Sequence, residues 1–322
     1  MKFFPIGLCL LLTANLLPAD PTAGSTHANQ PVFISPQPGS LIDASTQAIY
    51  GMLAGLNPSR ATLARFSDAK LVPGYVAGNT FIKNQSNWAA SVDLTCISVY
   101  NDRPDGYGLK FQTTAISPRH GIGPAHTSAP IGTHYNWLAS DGTTITRKVI
   151  AKTTAANDIE IYLFDSDLPP TISPAKMLPP TWTQFLGVPA NAGKSPLQIH
   201  IPVIMPTQES GIYVNESSTI IQTPDLLMMF RPPSTDIGRA FSNLKNGHNG
   251  IWSGDSGFTA GIVVNGGYVP IVEWHFGGSG SGPFLPAYYS EMNAAMHKLS
   301  QDAHLISDYR LTPVDLSHFS AQ

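Results

Sequence analysis

A chain of 322 residues, 42% apolar and only 12% charged, is long enough for one large or two modest hydrophobic cores. A net charge of −3 argues against a nucleic-acid partner, and aromatic and β-branched residues run throughout, which argues against disorder. Gly and Pro, 28 of each, point to many turns between short strands.

The chain opens "MKFFPIGLCLLLTANLLPADPTAG". Lys2 is a short positive region, Phe3 to Leu17 is apolar, and small residues follow at Ala19, Ala23 and Gly24. This pattern predicts a secretory signal peptide over residues 1–19 and a secreted protein, extracellular or periplasmic. No later stretch has the roughly 20 unbroken apolar residues of a membrane span, so no transmembrane segment is expected. Once the signal is removed, Cys96 is the only cysteine, and an intramolecular disulfide is impossible. Cys96 sits in "WAASVDLTCISVY", whose alternation predicts a strand with a buried thiol. No Cys/His cluster has metal-ligand spacing, so neither a metal nor a cofactor is expected.

Residues 20–68 read as a leader or pro-segment, partly helical. Residues 20–40 are rich in Pro, Ser, Thr, Gly and Ala, and 41–68 show two helical pieces broken at Asn57-Pro58. The main body spans 69–305. Its texture changes near residue 88 to short alternating runs: "VDLTCISVY", "LKFQTTAIS", "TTITRKVIAK", "DIEIYLFD", "LQIHIPVIMP", "SGIYVNE", "STIIQT", "TAGIVVNG" and "YVPIVEWHF". Turn residues separate these strand candidates, and no helical periodicity interrupts them, which argues against βαβ units and for an antiparallel all-β architecture. The Pro-rich stretch 166–196 is the expected joint between two halves. A single helix is predicted within 285–305, where Tyr289, Met292, Met296, Leu299 and Ala303 make one apolar stripe, expected to pack on the second half. Residues 306–322 form a tail. Asn84 and Asn215 begin glycosylation-type triplets.

One tetrapeptide raises a chemical question. Gly254-Asp255-Ser256-Gly257 is either a tight turn or the seat of a serine nucleophile. A serine hydroxyl needs a base, a group that orients the base, and N–H donors for the oxyanion. Histidine is the base suited to neutral pH. His120 and His126, in "SPRHGIGPAH", both qualify: His126 is expected at a strand end and His120 in a turn. For the acid, "NDIEIYLFDSD" offers Asp158, Asp165 and Asp167. Asp158 directly precedes an alternating strand, whereas the other two lie beside Pro where solvated turn aspartates are common.

The ordered set "GPAH", "DIEI" and "GDSG" resembles the trypsin/chymotrypsin-like serine peptidases, and more closely their divergent bacterial secreted members. The resemblance implies two six-stranded antiparallel β-barrels, the halves of 69–305, with a cleft between them and a C-terminal helix. It implies that His126 is the base, Asp158 its orienting acid and Ser256 the nucleophile. Gly254 and Ser256 would supply the oxyanion hole, and His120 would be a bystander. "VEWHFGG" resembles the family's substrate-binding strand, so Glu273, Trp274 and His275 would offer backbone bonds to an extended substrate. Gly250 occupies the pocket position where trypsin-like members carry Asp. The implied function is a secreted serine endopeptidase acting on a peptide or protein substrate through an acyl-enzyme. The alternative is an inactive fold of the same kind that binds peptides. Phe258-Thr259 departs from the family's usual Gly-Pro, and Thr127 stands where the family has Cys.

Overall fold

The computed structural model describes residues 32–56, 82–102, 112–186, 197–207, 211–220, 227–231, 233–242, 256–274 and 281–319. The expected signal segment lies outside them. Residues 32–56, expected in the leader, contribute two elements. β1 (Val32–Ile34) runs parallel to β8 (Leu197–Pro206). α1 (Leu41–Leu53) starts at Ser40, whose Oγ accepts the Asp43 N–H while Asp43 Oδ2 accepts the Gly39 N–H. These reciprocal bonds satisfy donors that a helix start leaves open. Leu41, Ile42, Ile49 and Leu53 are fully buried and join the core. Ser45 Oγ accepts the backbone N–H of Val263, so α1 is also hydrogen-bonded to the second sheet. The second helical piece, expected after Asn57-Pro58, lies outside the described residues.

Two sheets follow. The first contains β2 (Tyr100–Asp102), β3 (Thr114–Ala115), β4 (His120–Pro124), β5 (His134–Leu138), β6 (Thr144–Ala156) and β7 (Ile159–Phe164). Its antiparallel order is β2-β5-β6-β7-β4-β3. The second contains β8, β9 (Ile212–Ile220), β10 (Leu227–Arg231), β11 (Thr259–Val264), β12 (Gly267–Glu273) and β13 (Ser281–Pro283). Its order is β12-β11-β8-β9-β10-β13, with β1 beside β8 as a seventh strand.

Two closed six-stranded trypsin-like barrels were expected, and the sheets correct this. Among the described residues one has seven strands, including a parallel pair, the other has six, and neither closes into a ring by a continuous strand ladder. Across the opening of the first sheet the described residues make an isolated Ile97–Thr114 bridge with bonds from Ala115 N to Cys96 O and Ser98 N to Thr113 O, and across the second an isolated Val272–Phe284 bridge. The edge strand β3 has two residues, too few for a full ladder. Closure also depends on register and shear, which alternation does not encode.

Several strand expectations hold, including β8 over 197–206 and β11 within 259–266. "SGIYVNE" and "STIIQT", expected as two strands, are instead spanned by the single strand β9 over their described part. "VDLTCISVY" contributes only the start of β2, and Cys96 lies in a turn before it. Its thiol is buried, and that burial raises its pKa far above the ordinary value. Asn215, one of the two glycosylation-type asparagines, is fully buried and accepts a bond from Ser242 Oγ, which excludes glycan attachment in this fold.

α2 (Asp236–Ala240) is a short turn capped by Thr235. α3 (Tyr289–Asp302) follows a 3-10 turn at Leu285–Tyr288 and buries Met292, Ala295, Met296 and Leu299. Packing on the second half was expected. The helix instead covers β6 and β7 of the first sheet, meeting Ile122, Ile159, Ile161 and Leu163. The chain leaves β13 of the second sheet and returns to the first, so the helix covers an apolar face there. A buried polar chain also ties the sheets together. Thr114 Oγ1 of β3 lies 2.8 Å from Thr259 Oγ1 of β11, and Thr259 Oγ1 lies 2.9 Å from the Tyr268 hydroxyl.

If α1 belongs to the core, Ile49→Ala will lower unfolding free energy by about 2–5 kcal/mol, while Ala at exposed Gln47 will change it by under about 0.5 kcal/mol. Denaturant titration of both variants measures this, and an equally small effect at Ile49 contradicts it.

Candidate active site

The site is built from a turn on each sheet. On the first sheet, β6 and β7 are joined by the two residues Asn157 and Asp158, with Ala156 paired to Ile159. Both have positive φ, 35° and 70°, as a primed two-residue hairpin requires. Asn and Asp tolerate that conformation better than other residues with a side chain. The turn places Asp158 beside the loop that follows β4. Ala125 N donates to Asp158 O at 2.7 Å, and His126 N donates to Asp158 Oδ1 at 2.5 Å. The second carboxylate oxygen, Oδ2, lies 2.5 Å from His126 Nδ1. One aspartate therefore fixes both the backbone and the ring of the histidine.

On the second sheet, Ser256 and Gly257 turn into β11. Gly257 has φ of 91°, where a side chain is strained. A Cβ there would also lie 2.7 Å from Pro124 Cδ and 2.9 Å from Gln112 O. The turn is anchored to the end of β12 by two backbone bonds, Gly257 N to Trp274 O at 3.3 Å and Trp274 N to Phe258 O at 2.8 Å. Phe258 is fully buried, so the bulk that replaces the expected Gly-Pro is absorbed by the core. Ser256 Oγ, on a residue only 6% exposed, stands 3.0 Å from His126 Nε2.

The structure thus brings together Asp158, His126 and Ser256, residues far apart in sequence. It does not bring in the rival candidates. His120 opens β4 rather than lying in a turn, and it is fully buried. Its Nδ1 is 2.9 Å from Ser117 Oγ and its ring meets Tyr309 edge-on. Burial, and then the nearby Arg119 charge, lower its pKa to about 4. At the far end of β7, Asp165 accepts the Lys148 N–H and Asp167 pairs with Arg119.

Gly250, Gly254 and His275, expected in the pocket, the oxyanion hole and the substrate strand, lie outside the described residues. Trp274 is buried, and both its backbone polar groups serve the serine turn. Glu273 is buried too, and its carbonyl oxygen faces β13, where a Cβ on Gly282 would sit 1.5 Å away. Sequence reasoning missed a cluster behind the histidine. Ser128 hydrogen-bonds Glu160, and Lys152 Nζ bonds Ser128 Oγ and lies 3.7 Å from Glu160. These groups pin the loop after His126 to β6 and β7. The one available signal was alternation, which places Lys152 and Glu160 on paired strands.

No protein-family model matches the chain, and no curated protein is significantly similar to it. The chemistry is therefore read from the side chains alone.

Gly257→Ala combines a strained φ with a backbone clash, so it will destabilise the fold by at least ~1 kcal/mol and displace Ser256. Thermal unfolding and the reactivity of Ser256 measure the two effects, and wild-type values for both contradict the account of the turn. His120 predicts an acid limb. Unfolded imidazole protonates near 6.5, whereas native His120 stays neutral to about 4. The unfolded state binds the extra proton in that window, so stability from this group is complete above 6.5 and is lost as pH falls toward 4. His120→Gln will remove about 3 kcal/mol of that pH dependence. Denaturant unfolding between about pH 7 and pH 4 checks it, and an unchanged slope contradicts it.

Proposed function

We propose that the chain is a serine hydrolase that cleaves peptide bonds through an acyl-enzyme. One observation carries the reading: Ser256 Oγ lies 3.0 Å from His126 Nε2 while His126 Nδ1 lies 2.5 Å from Asp158 Oδ2. A nucleophile, a base and an orienting acid within hydrogen-bond reach are what acyl transfer requires. The order of "GPAH", "DIEI" and "GDSG" in the sequence supports the same reading.

In the reaction, Ser256 Oγ attacks the carbonyl carbon and its proton passes to His126 Nε2. The Asp158 carboxylate holds Nδ1–H and stabilises the imidazolium. The backbone N–H groups of Ser256 and Gly254 are the proposed donors to the developing oxyanion. The C–N bond breaks as Nε2 returns the proton to the leaving amine, leaving an ester on Oγ. Water, losing a proton to Nε2, then attacks the ester carbon, and the C–Oγ bond breaks as Nε2 returns that proton to Ser256 Oγ, freeing the acid. The bonds from Asp158 to both His126 N and Nδ1 keep the ring aligned through both half-reactions. Export is part of the same proposal and rests on residues 1–24. Among the described residues no helix is long and apolar enough to cross a membrane.

A fluorophosphonate probe with intact-mass detection tests this. One adduct is expected, at Ser256. Ser256→Ala will abolish it, and His126→Ala or Asp158→Asn will slow labelling by on the order of 10³-fold or more. A folded wild-type protein that takes no adduct overturns the hydrolase reading and favours a non-catalytic peptide-binding role.

A further inference from the structure

Glu273 ends β12 only 1% exposed, and neither carboxyl oxygen has a hydrogen-bond partner among the described residues. From the first sheet, the charges of Asp158 in the β6–β7 turn and of Glu160 on β7 act on it, and its own charge acts on Tyr162 of β7. The other carboxyls are compensated: Asp158 by His126, and Glu160 by Ser128 and Lys152. Among the described residues Glu273 has no such partner. On its own sheet, the hydroxyl of its strand partner Thr259 is engaged with Thr114 and Tyr268. β13 presents Gly282, which carries no polar side chain. An ionised Glu273 would be an uncompensated buried anion facing two other carboxylates across the sheets.

The location gives that charge leverage. His126 and Asp158 belong to the first sheet, and Ser256 belongs to the second. Trp274, next in sequence to Glu273, holds the serine turn through two backbone bonds. Any repulsion at Glu273 therefore acts on the Ser256–His126 contact.

We propose that Glu273 is a positioning residue in its protonated form: as a neutral acid it lets the two sheets close on the triad, and its ionisation drives them apart and sets the alkaline limit of Ser256 reactivity. The positioning role rests on the hydrolase reading; the protonated state of Glu273 does not. Burial, and then the charges of Asp158 and Glu160, raise the Glu273 pKa well above its ordinary value. Native Glu273 thus keeps a proton that the unfolded chain loses near 4.5, so the native state binds more protons above that pH. The stability contributed by this group is greatest below 4.5 and falls as pH rises toward the native value.

Two measurements on the full chain test the inference. The first follows unfolding against pH for wild type, Glu273→Gln and, as an apolar alternative, Glu273→Met. Wild type will carry a component of stability that falls from about pH 5 upward, superposed on the opposite contribution of His120, and the variants will lack that falling component. Parallel curves overturn the protonated state. The second follows the rate of Ser256 phosphonylation over about pH 5–10. In wild type the rate will fall at least about tenfold on the alkaline side of its maximum, while the variants lose most of that fall. An alkaline fall that persists in the variants, or is missing in wild type, overturns the positioning role. Absence of any Ser256 adduct overturns the hydrolase reading and this role with it, while the unfolding curves still report whether Glu273 holds a proton.

Discussion

The site depends on a hairpin turn of two residues. Asn157 and Asp158 both take positive φ, and only that backbone lets a single aspartate accept the His126 N–H with one oxygen and meet the ring with the other. The conformation costs more than an ordinary extended residue would. It is held in place by the antiparallel pairing of β6 with β7 and by the bond from Ala125 N to Asp158 O. Asn157 adds a bond to the Tyr288 hydroxyl, which reaches the turn from the segment leading into α3. The C-terminal helix therefore steadies the acid from outside the sheet.

The second turn is governed by a different constraint, close approach. Gly257 lies against Pro124 and the Gln112 carbonyl, which belong to the first sheet and its approach. The serine is thus set by contact across the sheets, and the histidine by hydrogen bonds within one sheet. The Thr114–Thr259–Tyr268 chain fixes the spacing beneath them. The 3.0 Å gap between Ser256 and His126 is where these two systems meet.

Much of this was legible in the residues. "NDIEIYLF" declares a strand preceded by turn formers, and that pattern found Asp158. "GPAH" put His126 just past a strand end, and alternation found β6, β7, β8, β11 and β12. Closure of the sheets was not legible, because it is decided by register and shear, which alternation does not encode. The resting place of α3 was missed for a related reason: an apolar stripe states that a face is buried, not which sheet buries it. Glu273 was read for its backbone. Its side chain faces carboxylates from another sheet, a relation that exists only once the chain is folded.

α1 has a bearing on maturation. Its apolar face packs against both β8 and β11, and β1 pairs with the start of β8. A protease that nicks the chain between Leu56 and Ile82 would not release this segment. The result would be a two-chain molecule, joined without a covalent link, whose shorter piece stays docked by Leu41, Ile42, Ile49 and Leu53. On a denaturing gel such a protein would look truncated, yet in solution it would keep its full mass.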